Sequence, residues 1–154
     1  MSYSPLSRVS KNIVVDANLT AAMVIPIRGL ETVEAFFLRW AQEGCDLYAP
    51  EWWLAEVVSV LRQHVYRKVI SPARAHDAVK DLFLLDVNRA PLDALLCQRA
   101  LDWAETIQHS RIYDAIYLAL AEQLNAEFWT ADRRLINAAH TAGADWAHWI
   151  GEAQ

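Results

Sequence analysis

The sequence predicts an α/β fold of three layers, with helices covering both faces of a mostly parallel central sheet of about five strands. Three observations lead there. Short apolar runs alternate with longer helical segments, and strands separated by helices pair in parallel. The runs are apolar throughout, as in strands buried on both faces. The chain has 154 residues, which suits one domain with one core, and its 4 Gly and 5 Pro leave little material for linkers. The boundaries expected are a tail over residues 1–10 and one domain over 11–150.

Each element follows from a local pattern. Ile13-Val14-Val15 runs into Asp16, and Leu47-Tyr48-Ala49 runs into Pro50. Phe83-Leu84-Leu85 leads to Asp86-Val87, and Glu127-Phe128-Trp129-Thr130 leads to Ala131-Asp132. Trp146 to Ile150 closes the set. Helical patterns fill the intervals: Leu30–Glu43, Glu51–Lys68, Pro72–Asp81, Leu92–Thr106, Arg111–Leu124 and Arg133–Thr141. Ser71-Pro72 is a helix start, a capping hydroxyl followed by Pro in the first turn. In open parallel sheets ligands bind at the carboxyl ends of the strands, so the acids just after the runs, Asp16, Asp86 and Asp132, draw attention.

Composition excludes several classes. The net charge of −5 argues against a protein that holds phosphate backbones by long-range attraction alone. Cys45 and Cys97 form no zinc or disulfide framework and are expected to be buried apolar fillers. The N-terminal residues show no signal-peptide pattern and no run is long enough to span a membrane, which points to a cytoplasmic protein with no membrane partner. His64, His76, His109, His140 and His148 show no zinc spacing, and His109 is expected at the surface. Neither a Gly-x-Ser-x-Gly elbow nor a Gly-rich phosphate loop occurs.

Four carboxylates stand out. Asp16 sits at the tip of a strand, where a turn or helix-cap role is equally natural. Asp132 repeats that arrangement and is also a candidate N-cap. Asp114 adjoins an apolar stripe of Tyr113, Ile116, Tyr117, Leu120 and Leu124 in the first turn of a helix, where the helix dipole also favours an acid. Glu56 lies among Trp52, Trp53, Val57 and Val60, with no Lys or Arg between Arg39 and Arg62 to pair with it. Four acids converging on one sheet edge would repel each other unless a cation sat among them. All-oxygen donors select a hard ion, Mg²⁺ or Mn²⁺, and such sites commonly act on phosphate esters.

These segments, in this order, resemble the PIN-domain ribonucleases, above all the toxins of VapBC-type toxin–antitoxin pairs. The resemblance covers about residues 11–150. Its most specific part is Tyr113-Asp114-Ala115-Ile116-Tyr117-Leu118-Ala119-Leu120-Ala121-Glu122, flanked by Val14-Val15-Asp16-Ala17-Asn18 and Thr130-Ala131-Asp132-Arg133-Arg134-Leu135. The resemblance implies a PIN-like fold and metal-dependent hydrolysis of RNA phosphodiesters. It assigns Asp16, Glu56, Asp114 and Asp132 as the catalytic, metal-binding set, with Asn18 and Thr130 as polar supports and Mg²⁺ or Mn²⁺ as cofactor. It also implies an RNA substrate, a cognate antitoxin protein and a homodimer. Two stretches depart from the family pattern: Trp52-Trp53 is bulkier than expected there, and the C-terminal Trp146–Trp149 is either core or interface.

Arg67, Arg111, Arg133 and Arg134 are candidate RNA contacts, with Gln63 on nearly the same helix face as Arg67 and with Arg62, Lys68 and Arg74 extending the basic region, although ordinary solvated charge explains them as well. Trp52, Trp53 and Tyr113 are either aromatic core or base-stacking groups. Two alternatives stand beside the nuclease. One is a haloacid-dehalogenase-like phosphatase, which would want a second Asp where Asn18 stands. The other is a non-catalytic PIN-fold binding module. If the four acids form one metal site, 15 acidic and 14 basic side chains remain elsewhere, so the acidity is concentrated in the site and does not exclude RNA.

Overall fold

The computed structural model describes residues 10–153. Nine of the ten residues of the expected N-terminal tail lie outside the described residues. Five strands, β1 (Asn12–Val15), β2 (Asp46–Pro50), β3 (Val87–Ala90), β4 (Glu127–Thr130) and β5 (Ala147–Trp149), form one sheet in the order β3-β2-β1-β4-β5. Every pairing is parallel. Among the described residues seven helices connect and cover them: α1 (Ala17–Val24), α2 (Val33–Glu43), α3 (Trp53–Tyr66), α4 (Pro72–Leu82), α5 (Ala94–Thr106), α6 (Tyr113–Gln123) and α7 (Arg133–Thr141). A 3₁₀ turn, Ile150–Ala153, follows β5. Among the described residues no helix is long and apolar enough to cross a membrane.

The central strand shows why the sheet has two dry faces. Side chains alternate along a strand. Val14 joins a core with Leu96, Trp103, Ile116, Leu120, Phe128 and Ile136, under α5, α6 and α7. Its neighbours Ile13 and Val15 join a second core with Leu19, Phe36, Phe37 and Trp40, under α1 and α2. Ile13, Val14 and Val15 are all fully buried, so the uninterrupted apolar run is what a strand covered on both faces requires. A third cluster ties α1, α3 and α4 together through Val24, Val57, Leu61 and Leu82.

Four expectations need correction. Phe83-Leu84-Leu85 is no strand. The chain leaves α4 at Phe83, Phe83 and Leu84 are exposed, and β3 begins only at Val87, which pairs with Leu47. Three apolar residues do not distinguish a strand from the end of a helix. Asp86 therefore precedes its strand and lies away from the carboxyl edge. Helix α1, which no pattern above singled out, starts immediately after Asp16. The cysteines are not core fillers, since Cys97 is exposed and Cys45 is only partly buried.

Two further details differ. The apolar face of α6 is wider than a stripe: residues 115–121 are buried without interruption while Tyr113 is exposed. A helix apolar all round is one enclosed on every side. Arg74 does not extend a basic surface, because its guanidinium donates to the Val24 carbonyl and stands 3.6 Å from Asp81. At the C-terminus, Trp146 packs edge-to-face on Trp103 at 5.8 Å. The Trp149 ring lies against Gly151, where a Cβ would come within 2.4 Å of it.

Candidate functional site

Asp16 is placed by two elements at once. It is the residue after β1 and the N-cap of α1. Its Oδ1 accepts the Leu19 N–H at 2.8 Å, which satisfies one of the helix's free amides. Its Oδ2 accepts from the Thr130 hydroxyl at the end of the adjacent strand β4. Thr130 Oγ1 in turn accepts the Asp132 N–H at 3.0 Å, so one buried hydroxyl links two of the acids. Asp16 is 9% exposed, and burial pushes its pKa up to about 6 despite these hydrogen bonds, with a contribution from the charge of Asp114.

Glu56 projects from the first turn of α3 and Asp114 from the first turn of α6. Glu56 Oε2 accepts the Tyr117 hydroxyl at 2.8 Å. Burial raises its pKa, and the charges of Asp16 and Asp114 raise it further. Burial likewise lifts Asp114, with Asp132 adding to the rise and His109 opposing it. His109 Nδ1 stands 3.4 Å from Asp114 Oδ2, so this histidine is a partner of the acidic group and not simply a surface residue. Asp132 is the N-cap of α7, its Oδ1 accepting from the Arg134 and Leu135 amides. Tyr117 is 3% exposed, and burial together with Glu56 drives its pKa far up, so its hydroxyl stays a donor.

These groups border a cleft of about 590 Å³ at the carboxyl edge of the sheet. Asp16, Asn18, Glu56 and Asp114 line it, together with Trp52, Gln63, Tyr113 and Tyr117. Asp132 is outside the lining but its charge is felt at Asp114, and Thr130 is bonded to Asp16. Arg67, Arg111, Arg133 and Arg134 do not line the cleft; all four are exposed, and Arg133 lies over the Trp149 ring at 5.0 Å. Trp53 is 2% exposed and donates to Thr20, so it belongs to the core, whereas its neighbour Trp52 reaches the cleft. Sequence reasoning missed Tyr117 as the partner of Glu56. Its place three residues after Asp114, one helical turn on, was the available signal.

Among the described residues no three His, Cys, Asp or Glu side chains are gathered closely enough to hold a metal ion as they stand. The chemistry of the group nevertheless fits a hard cation. The donors facing the cleft are carboxylate oxygens, and each of the three lining acids has its pKa raised by burial and by like charge.

A model of the PIN domain matches residues 13–141, from β1 through α7. The chain belongs to the PIN-domain family. Solved structures share the fold at low identity. PAE2754 from Pyrobaculum aerophilum superposes with a TM-score of 0.64 at 18% identity, covering 94% of this chain and 93% of its own. The sarcin-ricin loop cleaving toxin VapC20 of Mycobacterium tuberculosis gives 0.59 at 18%, over 82% of this chain and 94% of its own. VapBC2 from Rickettsia felis, bound to a DNA fragment of its promoter, gives 0.61 at 10%, over 90% and 96%. No curated protein sequence matches significantly. The matched PIN-domain segment contains Asp16, Glu56, Asp114 and Asp132.

Proposed function

We propose that this PIN domain is a divalent-metal-dependent endoribonuclease hydrolysing RNA phosphodiester bonds, and that it acts in the cytoplasm as the toxin of a VapBC-type toxin–antitoxin pair. The observation that carries the proposal is the cleft in which Asp16, Glu56 and Asp114, from three different helix starts, face one space. Such crowding of acids stores unfavourable charge that a cation relieves. Solved relatives of the fold include a toxin that cleaves the sarcin-ricin loop and toxin–antitoxin complexes, which supports the biological half of the reading.

In this reading Asp16, Glu56 and Asp114 hold Mg²⁺ or Mn²⁺, and Asp132 completes or orients the set. When bound, the ion supplies Lewis acidity at the phosphoryl group and lowers the pKa of an attacking water. The chain does the positioning. Thr130 fixes one oxygen of Asp16 and the Leu19 amide fixes the other, so the carboxylate cannot rotate away. Tyr117 fixes Glu56 from a ring stacked on Phe128. His109 stands at the outer edge of Asp114, where it steadies that carboxylate. Arg133 and Arg134, just beyond Asp132, are the cations nearest in sequence to the site and would meet phosphates at its rim.

Expression of the chain alone is expected to slow growth, and co-expression of a small protein encoded beside it is expected to restore growth. Purified chain is expected to fragment RNA in Mn²⁺ and to stop on chelation. Harmless expression together with intact RNA would refute the proposal.

A further inference from the structure

The cleft is lined by two unlike sets of side chains. One is acidic. The other is aromatic, built from Trp52 at the start of α3 and from Tyr113 and Tyr117 on α6. The three rings differ in what they are committed to. Tyr117 is buried, stacks on Phe128 and spends its hydroxyl on Glu56. Tyr113, one turn nearer the mouth, is 54% exposed, and among the described residues its hydroxyl has no hydrogen-bond partner. Among the described residues the Trp52 indole N–H likewise has no acceptor, in contrast to Trp53, which donates to Thr20. Trp52 meets both tyrosines edge-on, at 5.5 Å with interplanar angles of 80° and 83°.

We infer that Tyr113, braced by Trp52, is a nucleobase-stacking subsite beside the acidic group. This rests on the ribonuclease reading above and names how that site takes hold of its RNA. Charge alone does not supply the affinity. The net charge is −5, the cleft is lined by three carboxylates, and the exposed Arg67, Arg111, Arg133 and Arg134 lie outside it. A polyanion entering such a space needs a contact indifferent to charge, and stacking on an aromatic face is one that every base offers. The ring is ready for it. Trp52 holds the Tyr113 plane by an edge-to-face contact, so little side-chain freedom is lost on binding. Tyr113 and Asp114 both line the cleft, which sets a stacked base beside the acids. Its free hydroxyl and the Trp52 N–H remain available to the ribose or base edge.

The test compares two fluorescent single-stranded probes of equal length, an oligoadenylate and an abasic ribose-phosphate chain, in Mn²⁺. Binding is read by anisotropy in an Asp16→Asn background that leaves the probes uncut. The subsite requires oligoadenylate to bind about tenfold tighter or more. It requires Tyr113→Ala to bring that ratio close to one, and Tyr113→Phe to keep it. A merely structural role for Tyr113 would weaken both probes together and leave the ratio alone. If Tyr113→Ala keeps the ratio, the subsite is wrong. A ratio near one in a chain that still cuts RNA overturns the subsite alone, whereas a chain that neither binds nor cuts RNA overturns the ribonuclease reading with it.

Discussion

Asp16 lies between the Thr130 hydroxyl and the Leu19 amide, and its pKa of about 6 against an ordinary 3.8 makes it a proton-linked residue. A carboxyl with a raised folded-state pKa binds its proton more tightly in the folded chain than in the unfolded one. Its contribution to stability is therefore present at low pH and falls as pH rises from about 4 to about 6. Above that window, without a cation, the charged group costs on the order of 3 kcal/mol. Asp16→Asn keeps a capping oxygen and removes the charge. It is expected to raise Tm at pH 7, by an amount that shrinks towards pH 4. A lower Tm at pH 7 would contradict this. Tyr117→Phe is the companion test, since it keeps the ring contacts and deletes only the hydroxyl on Glu56. It is expected to cost about 1–3 kcal/mol in denaturant unfolding, and unchanged stability would show that the bond carries no weight.

Helix α6 joins the core to the site. Ala115, Ala119 and Ala121 are fully buried on it, small residues that let α5 and the sheet close in around it. Ala119→Leu is expected to destabilise the fold by about 1–3 kcal/mol through overpacking. Leu101, 64% exposed on α5, is expected to tolerate Ala within about 0.5 kcal/mol. Equal effects in chemical denaturation would contradict this packing. Elements were legible in the sequence where local chemistry and burial agreed. Ser71 caps α4 ahead of Pro72, Asp132 caps α7, and β1 is dry on both faces. They were not legible where pattern and burial part. Helix α1 follows its strand with only Asp16 between them, so the capping acid was visible but the helix behind it was not. Phe83 keeps its apolar ring in water beside the Arg89 guanidinium, 5.7 Å away, and so imitates a strand residue.

At the scale of the molecule, the sheet order β3-β2-β1-β4-β5 puts the carboxyl ends of β1 and β4 side by side. Residues 114 positions apart, Asp16 and Thr130, thereby become hydrogen-bond partners. The convergence of the acids was legible only as an order of motifs, because the sequence carries no distances. What stayed hidden was the company they keep, His109 against Asp114, Tyr117 against Glu56 and the half-open ring of Tyr113. The charge of −5 also gains a location, since three acids line one cleft while the arginines stand outside it. The most direct test of this account is the rate at which purified chain cuts RNA across a Mn²⁺ titration, with Asp114→Asn beside it. Cutting is expected to rise with Mn²⁺, to vanish in chelator, and to fall at least about a hundredfold in Asp114→Asn. Cutting that persists in chelator, or that is equal in the two proteins, would contradict it.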